Sequence, residues 1–208
     1  MKRLAILGAS GHGKVVADIA ECCGWQLVEF FDDAWPDIRQ NGLWNIVGDS
    51  NLLLNQLTNY DGIVVAIGSN VVRYQKLQAL KSVGACLVSL IHPAATISRY
   101  ACVGLCSVAM AGAIVNAGVT IGNGAILNTG CSVDHDCMLG ESVHISPGAH
   151  LAGDVQIGDC CWVGIGASVR QGTTIGARSV IGAGAAVVHD LVEDVTAVGV
   201  PARVCTCR

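Results

Sequence analysis

Stepping by six from Ile91, the chain meets Ile97, Val103, Ala109, Val115, Ile121, Leu127, Val133, Leu139, Ile145, Leu151, Ile157, Val163, Val169, Ile175, Ile181 and Val187, and only Ala109 is not Ile, Leu or Val. Four places after each stands a second residue that is small or apolar, from Ala95 and Ala101 through Cys131, Cys137 and Val143 to Ala185 and Leu191. A beat of six matches neither the 3.6-residue turn of an α-helix nor the alternation of a half-exposed strand, so each hexad is a structural unit of its own. Three hexads predict one triangular turn of a parallel β-helix, with the aliphatic residue inside a narrow prism and the small residue where the chain bends. Glycine often follows the aliphatic position, as at Gly104, Gly122, Gly140, Gly158, Gly164, Gly176 and Gly182, and is expected to relieve corners that need unusual φ. Flat stacked faces and open ends leave apolar wall that one slim prism cannot cover, which predicts oligomerisation.

Residues 1–90 follow another pattern. Lys2 to Leu7 is a short apolar run ending in Gly8-Ala9-Ser10-Gly11-His12-Gly13-Lys14, and Val15 to Cys22 then reads as a helix. Gln26 to Phe31 is a second predicted strand closing on Asp32-Asp33, and Gly62 to Ile67 a third closing on Gly68-Ser69-Asn70. A helix over Asn70 to Leu80 and a strand over Ala85 to Ile91 complete the alternation, which predicts a small Rossmann-like parallel sheet at 1–90 and an all-β coil with its tail at 91–208. Ligands of such sheets sit beyond the carboxyl ends of the strands. The glycine spacing GxxGxG departs from GxGxxG and suits a purely structural tight turn as well as a phosphate cradle. No second nucleotide-binding half follows, so the length fits a mononucleotide end better than NAD.

Composition narrows the partners. The formal net charge is −4, only 13% of the 208 residues are charged, and there is no Lys/Arg run to track a phosphate backbone, which argues against nucleic acid. A mean hydropathy of +0.54 raises the question of a membrane, and Tyr100 to Val133 holds no Asp, Glu, Lys or Arg. That stretch is interrupted by Gly104, Gly112, Asn116, Gly118, Gly122, Asn123, Gly124 and Asn128, so membrane insertion is not expected. Eleven cysteines form an odd set with no metal-type spacing beyond a lone Cys102/Cys106, and no secretory signal is expected. They read as small buried thiols in a reducing cytoplasm, with no metal site.

The motifs GASGHGK, FFDD, AIGSN, ILNTGCSVDHDCMLGESVHISPGAHLAGDV and GVPARV together resemble the NeuD/PglD family of sugar acyltransferases across nearly the whole chain. The resemblance implies a left-handed coil, a homotrimer with active sites in the clefts between neighbours, acetyl-CoA as cosubstrate and a nucleotide-linked 4-amino-4,6-dideoxy sugar as acceptor. It implies a role in a bacterial surface polysaccharide or glycoprotein pathway. By the same resemblance Ser10, Gly11, His12, Asp32, Asp33 and Gly68 bind the nucleotide-sugar, His135 is the catalytic base and Asp136 its partner. His144 and Asn128 would lie near the thioester and the transferred acetyl group, and Gly153, Ile165 and Ala183 would line the CoA channel. Some family members carry Glu where this chain has Asp136, a shorter arm toward the imidazole.

The chemistry suits these residues. An amine attacking a thioester must lose a proton as the tetrahedral adduct forms, and histidine, with an ordinary pKa of about 6.5, is a base matched to neutral pH. A carboxylate beside it favours the imidazolium and selects the tautomer whose other nitrogen accepts. Direct transfer is the simplest route, onto a UDP- or dTDP-linked sugar. A covalent acyl-cysteine is its rival, since Cys131 and Cys137 flank His135, although both fall at inward hexad positions. Two other functions compete: a sugar O-acetyltransferase of the sialic-acid type, which needs no nucleotide, and a non-catalytic trimeric scaffold.

Overall fold

The computed structural model describes residues 2–205, which divide after Pro93 into two compact units. In the first unit the order is β1 (Arg3–Leu7), α1 (Gly11–Cys22), β2 (Leu27–Phe31), β3 (Gln40–Asn41), β4 (Trp44–Gly48), α2 (Ser50–Asn55), β5 (Gly62–Val65) and α3 (Asn70–Ser82). The strands lie in the order β3-β4-β2-β1-β5; β4, β2, β1 and β5 run parallel, and β3 is antiparallel to β4. Leu4 to Leu7 and Gly62 to Val65 are buried throughout, as continuous apolar runs are in a parallel sheet covered on both faces.

Three details differ from the pattern-based expectation. Helix α1 begins at Gly11, not Val15, with Ser10 as its N-cap residue. A Cβ at Gly13 would meet the Gly8 carbonyl oxygen and lie 3.0 Å from Phe30 Cε1, so glycine there lets the first turn press against the sheet. The segment from Ala85 to Ile91 is not one strand: Leu87 makes a single bridge to Ile63, its N–H bonds back to Ala85, and only Leu90–Ile91 is extended again. The segment holding β3, β4 and α2 was not foreseen, because its elements are only two to six residues long. Asp49 caps α2 by accepting the Leu52 N–H at 2.7 Å.

The second unit is a parallel β-helix of two-residue strands. One face carries the strands at 96–97, 114–115, 132–133, 150–151, 168–169 and 186–187, a second those at 102–103 through 174–175, and a third those at 108–109, 126–127, 144–145, 162–163 and 180–181. Each strand pairs in parallel with the one eighteen residues on, as Ile114 with Ser132 and Ile126 with His144. An antiparallel pair, Thr196–Val198 with Arg203–Val204, closes the third face. From Ala109 to Val187 every aliphatic hexad position is at most 4% exposed, and the residue four places on is equally buried from Ala113 to Ala185, whereas Leu191 after the last coil is only half-buried. Among the described residues no helix is long and apolar enough to cross a membrane.

The glycines after the aliphatic positions do a different job from the one expected of them. None of Gly104, Gly122, Gly140, Gly158, Gly164, Gly176 and Gly182 has positive φ. A Cβ at Gly122 would stand 2.7 Å from the Gly140 backbone, so these residues are small because the next coil passes directly over them. Positive φ falls two residues later, where Gly112, Gly130 and Gly148 alternate with Cys106, Asp136 and Asp154. The two kinds of position separate experimentally: Gly122→Asn is expected to cost about 1–3 kcal/mol by overpacking. Gly130→Asn, at φ +64° with nothing within 4 Å of its Cβ, costs little because Asn tolerates the left-handed region; denaturant unfolding of both variants reads the difference.

Candidate functional site

Two clusters of polar groups stand out, one in each unit. In the first, the carboxyl ends of β1, β2 and β5 surround a pocket of about 230 Å³ lined by Gly8, Ser10, Asp32, Asp33, Gly68 and, from α2 and α3, Ser50 and Lys76. Asp32 is partly spent on structure: its carboxylate accepts the N–H groups of Ala9 at 2.7 Å and Ala34 at 3.0 Å, pinning the glycine-rich turn to the end of β2. Asp33 accepts from Lys76 Nζ at 2.8 Å and from the Ser50 N–H at 2.9 Å. The Lys76 ammonium, with Ser50, holds the Asp33 carboxyl well down, at about 2.

Of the sequence-predicted residues, Ser10, Asp32, Asp33 and Gly68 therefore share one pocket, whereas Gly11 and His12 do not line it. They belong to the first turn of α1, which turns His12 inward: its Nε2 is buried without a hydrogen-bond partner among the described residues, and burial beside Arg73 lowers the imidazole to about 4. Lys76 and Ser50 were missed: Lys76 reads as an ordinary polar residue of its helix and Ser50 opens a helix too short to show in the pattern, and only the fold brings them over Asp33.

The second cluster sits on the coil edge between the first and second faces. Asp136 occupies the left-handed region at φ +61°, and this bend lets two consecutive side chains meet, His135 Nδ1 lying 2.8 Å from Asp136 Oδ2. Asp134 Oδ1 accepts the His135 N–H and the Asn116 side-chain amide, both at 2.8 Å, fixing the backbone beneath the ring. The ring is 62% exposed. The Asp136 hydrogen bond, then the charge of Asp134, raise its pKa above the ordinary value, with Asp154 adding to them. Both flanking thiols point into the prism: Cys131 is pushed up to about 12 by burial, and Cys137, also raised by burial, donates to the Ala152 carbonyl at 3.1 Å. Buried, protonated thiols are poor nucleophiles, which weighs against an acyl-cysteine.

Asn128 and His144 are elsewhere, on the third face. Asn128 Nδ2 lies 3.1 Å from His144 Nε2, and the Trp162 ring stacks on His144 at 5.5 Å and 7° while its N–H donates to Ser146 at 2.7 Å. A pocket of about 350 Å³ opens beside them, floored by Gly164 and Gly182 and edged by Trp162, Ile165 and Ala183. Gly153 is not part of it; a Cβ there would run into the His135 imidazole. Trp162 was not anticipated, standing at an outward position whose neighbours in the column are His144 and Val180.

A model described as the PglD N-terminal domain matches residues 3–80, and one described as bacterial transferase hexapeptide (six repeats) matches residues 154–189. The UDP-N-acetylbacillosamine N-acetyltransferase of Bacillus subtilis (strain 168) is 37% identical over 114 residues, 53% of this chain and 52% of that protein, so the chain spans about half the length of this curated relative. The acetyltransferase domain of PglB from Neisseria gonorrhoeae FA1090 is 42% identical with a TM-score of 0.93, covering 99% of this chain and 100% of that one; the same domain has been solved in complex with acetyl coenzyme A. PerB from Caulobacter crescentus, solved in complex with CoA and GDP-perosamine, is 38% identical with a TM-score of 0.92, covering 99% of this chain and 98% of that one.

The charge pairing in the first cluster can be tested alone. Replacing Lys76 by Met removes the chief cause of the low Asp33 value, so the carboxyl is expected to move from about 2 toward the ordinary value of about 3.9, read by carbon-13 NMR titration. The sign follows: the wild-type pair favours the folded form above the ordinary carboxylate range, and this contribution fades as pH falls toward 2.

Proposed function

The chain belongs to the NeuD/PglD family of sugar acyltransferases, and from that premise we propose that it transfers acetyl from acetyl-CoA to the 4-amino group of a UDP- or dTDP-linked 4-amino-4,6-dideoxy sugar. The observation that carries this reading is the exposed imidazole of His135, made more basic by Asp136, while the two flanking thiols, Cys131 and Cys137, are buried in the prism. Relatives named as N-acetyltransferases, and one bound to CoA with an amino-sugar nucleotide, support it.

In the proposed mechanism the acceptor amine forms a C–N bond to the thioester carbonyl carbon while His135 Nε2 takes the amine proton. Collapse of the tetrahedral adduct breaks the C–S bond and releases CoA as its thiol or thiolate. Asp136 keeps the Nδ1 proton engaged, so that Nε2 presents its lone pair. The pocket around Asp32, Asp33 and Lys76 would hold the nucleotide, its carboxylates accepting from base or ribose and its ammonium facing phosphate. The trough beside Trp162, Ile165 and Ala183, almost wholly apolar and floored by glycine, suits the pantetheine arm, with His144 and Asn128 at its thioester end.

Topology gives a reason for the expected homotrimer of left-handed coils. The edge bearing His135 joins the first and second faces, so in a triangular coil it lies across the packed core from the third face, which carries His144. One copy cannot bring the two histidines to one acetyl group. A neighbour offering its His135 edge to this copy's third face can, and the trimer supplies three such clefts. The reading places the protein in the cytoplasm.

Thiol release from acetyl-CoA in the presence of UDP-, dTDP- and GDP-linked 4-amino sugars tests the activity. Turnover only with a free sugar would redirect the reading to O-acetylation, and no acetyl-CoA binding would leave a scaffold. His135→Ala is expected to lower kcat by about 100-fold or more with the oligomer intact on sedimentation. Because the base must be neutral and its pKa is raised, kcat/KM should fall with acid from a midpoint above about 6.5, and Asp136→Asn should move that midpoint lower.

A further inference from the structure

We propose that Gly118 and Gly153 are positioning residues for the His135–Asp136 pair, two ladder positions kept free of side chain so that imidazole and carboxylate can lie down along the coil edge and meet; this rests on the reading of His135 as the base. Successive coils stack residue i over residue i+18, which places Ala117, His135 and Gly153 in one outward column and Gly118, Asp136 and Asp154 in the next. The register is held by the Asp136 N–H to the Ala117 carbonyl at 3.1 Å and the Asp154 N–H to the His135 carbonyl at 2.9 Å. A Cβ at Gly153 would stand 2.5 Å from His135 Cε1, 2.6 Å from Nε2 and 3.1 Å from Nδ1, inside the space of the ring. A Cβ at Gly118 would collide with Asp136 Oδ1 and lie 3.4 Å from its Cγ. The imidazole thus rests on one glycine a coil ahead and the carboxylate on another a coil behind.

Backbone conformation does not account for Gly153 and accounts only in part for Gly118. Gly153 has no positive φ, and its column carries Arg99, Ala117 and Gln171 at the equivalent places, so the coil itself accepts side chains there. Gly118 has φ +76°, yet Asp136 and Asp154 hold φ +61° and +58° in the same column without being glycine. Nor does the next coil press on Gly153 as it does on Gly122: the nearest atoms to its missing Cβ all belong to the imidazole. What the two positions share is room for a catalytic side chain. The charged groups facing the ring are Asp134, Asp136 and Asp154, and only the first two hydrogen-bond to His135 through their carboxylates, Asp154 doing so through its backbone N–H.

Gly153→Ala and Gly118→Ala test this in the full-length protein. Each methyl is expected to push its partner away and part the imidazole from Asp136, so the His135 midpoint, followed by proton–nitrogen NMR titration, moves down toward the ordinary value of about 6.5. In the acetyl-transfer assay kcat should fall on the order of 100-fold, as misplacement of a reacting group by about 1 Å can do, with KM for acetyl-CoA little changed and the acid limb of the pH profile shifted with the NMR midpoint. Folded variants with unchanged midpoint and kcat would overturn the proposal. If Gly153→Ala lowers the thermal midpoint instead, the double variant with His135→Ala decides: recovery of stability once the ring is removed supports the proposal, and equal loss with or without the ring refutes it by showing that the glycine serves the coil. Titration and stability need no sugar substrate, so a shifted midpoint in an enzyme inactive on every sugar tested would uphold the positioning role and remove the proposed function alone.

Discussion

Eighteen residues per coil, stacked in register by parallel backbone hydrogen bonds, is the constraint under which everything else in the second unit is arranged. Each two-residue strand is far too short to be stable alone, but its N–H and C=O groups bond to the coils before and after, so pairing propagates along the axis as it does in other solenoids. The same register fixes what lies above and below every outward side chain. A coil spacing of about 4.8 Å is closer than most side chains tolerate, so each column becomes a sequence of mutual accommodations. Inward positions solve this with two buried residues per hexad; outward ones solve it locally, by glycine where the next backbone passes over and by side-chain ladders elsewhere.

Chemistry is placed by exploiting exceptions to the ladder. Along an extended strand adjacent residues point to opposite sides and cannot pair, yet His135 and Asp136 do so because the corner residue adopts the left-handed region, which Asp accepts more readily than a β-branched residue would. The result is a cluster of three carboxylates, Asp134, Asp136 and Asp154, around one exposed imidazole. The pocket of the first unit has the opposite logic. There the ammonium of Lys76 pairs with one of two acids, leaving a pocket that presents both signs of charge.

The hexad beat made the coil legible because the prism core is nearly one-dimensional: one aliphatic and one small residue per face are enough to define it. The role of the interleaved glycines was not legible in the same way. Whether a glycine answers to positive φ or to a neighbour's approach depends on which coil lies over it, and sequence spacing is the same in both cases. In the first unit β1, β2 and β5 were clear from apolar runs bounded by glycine and acid, whereas β3, β4 and α2 were too short for any period to emerge. Asp32 and Asp33 announced themselves by ending a strand; Lys76 and Ser50, carried on helices, acquired meaning only when the fold set them over the same pocket. His12 shows the converse, since a motif position that looks like a ligand-facing turn is drawn into the first turn of α1 with its Nε2 buried.

The separation of His135 from His144 follows from triangular symmetry alone. A corner of the coil and the face opposite it are divided by the full apolar core, and no side-chain rotation brings them together. If both histidines serve one transfer, as proposed, a neighbouring copy must supply one of them, and self-association becomes a condition of catalysis as well as a way to cover apolar wall. The exposed hydrophobic residues fit that requirement: Trp162 and Ile165 stand on the third face and its margin, beside the trough that the opposing edge would close. Trp162 then has two duties, keeping His144 stacked and oriented from one side and offering apolar surface to the incoming subunit from the other, which explains a large aromatic ring at an outward column position in a coil otherwise economical with them.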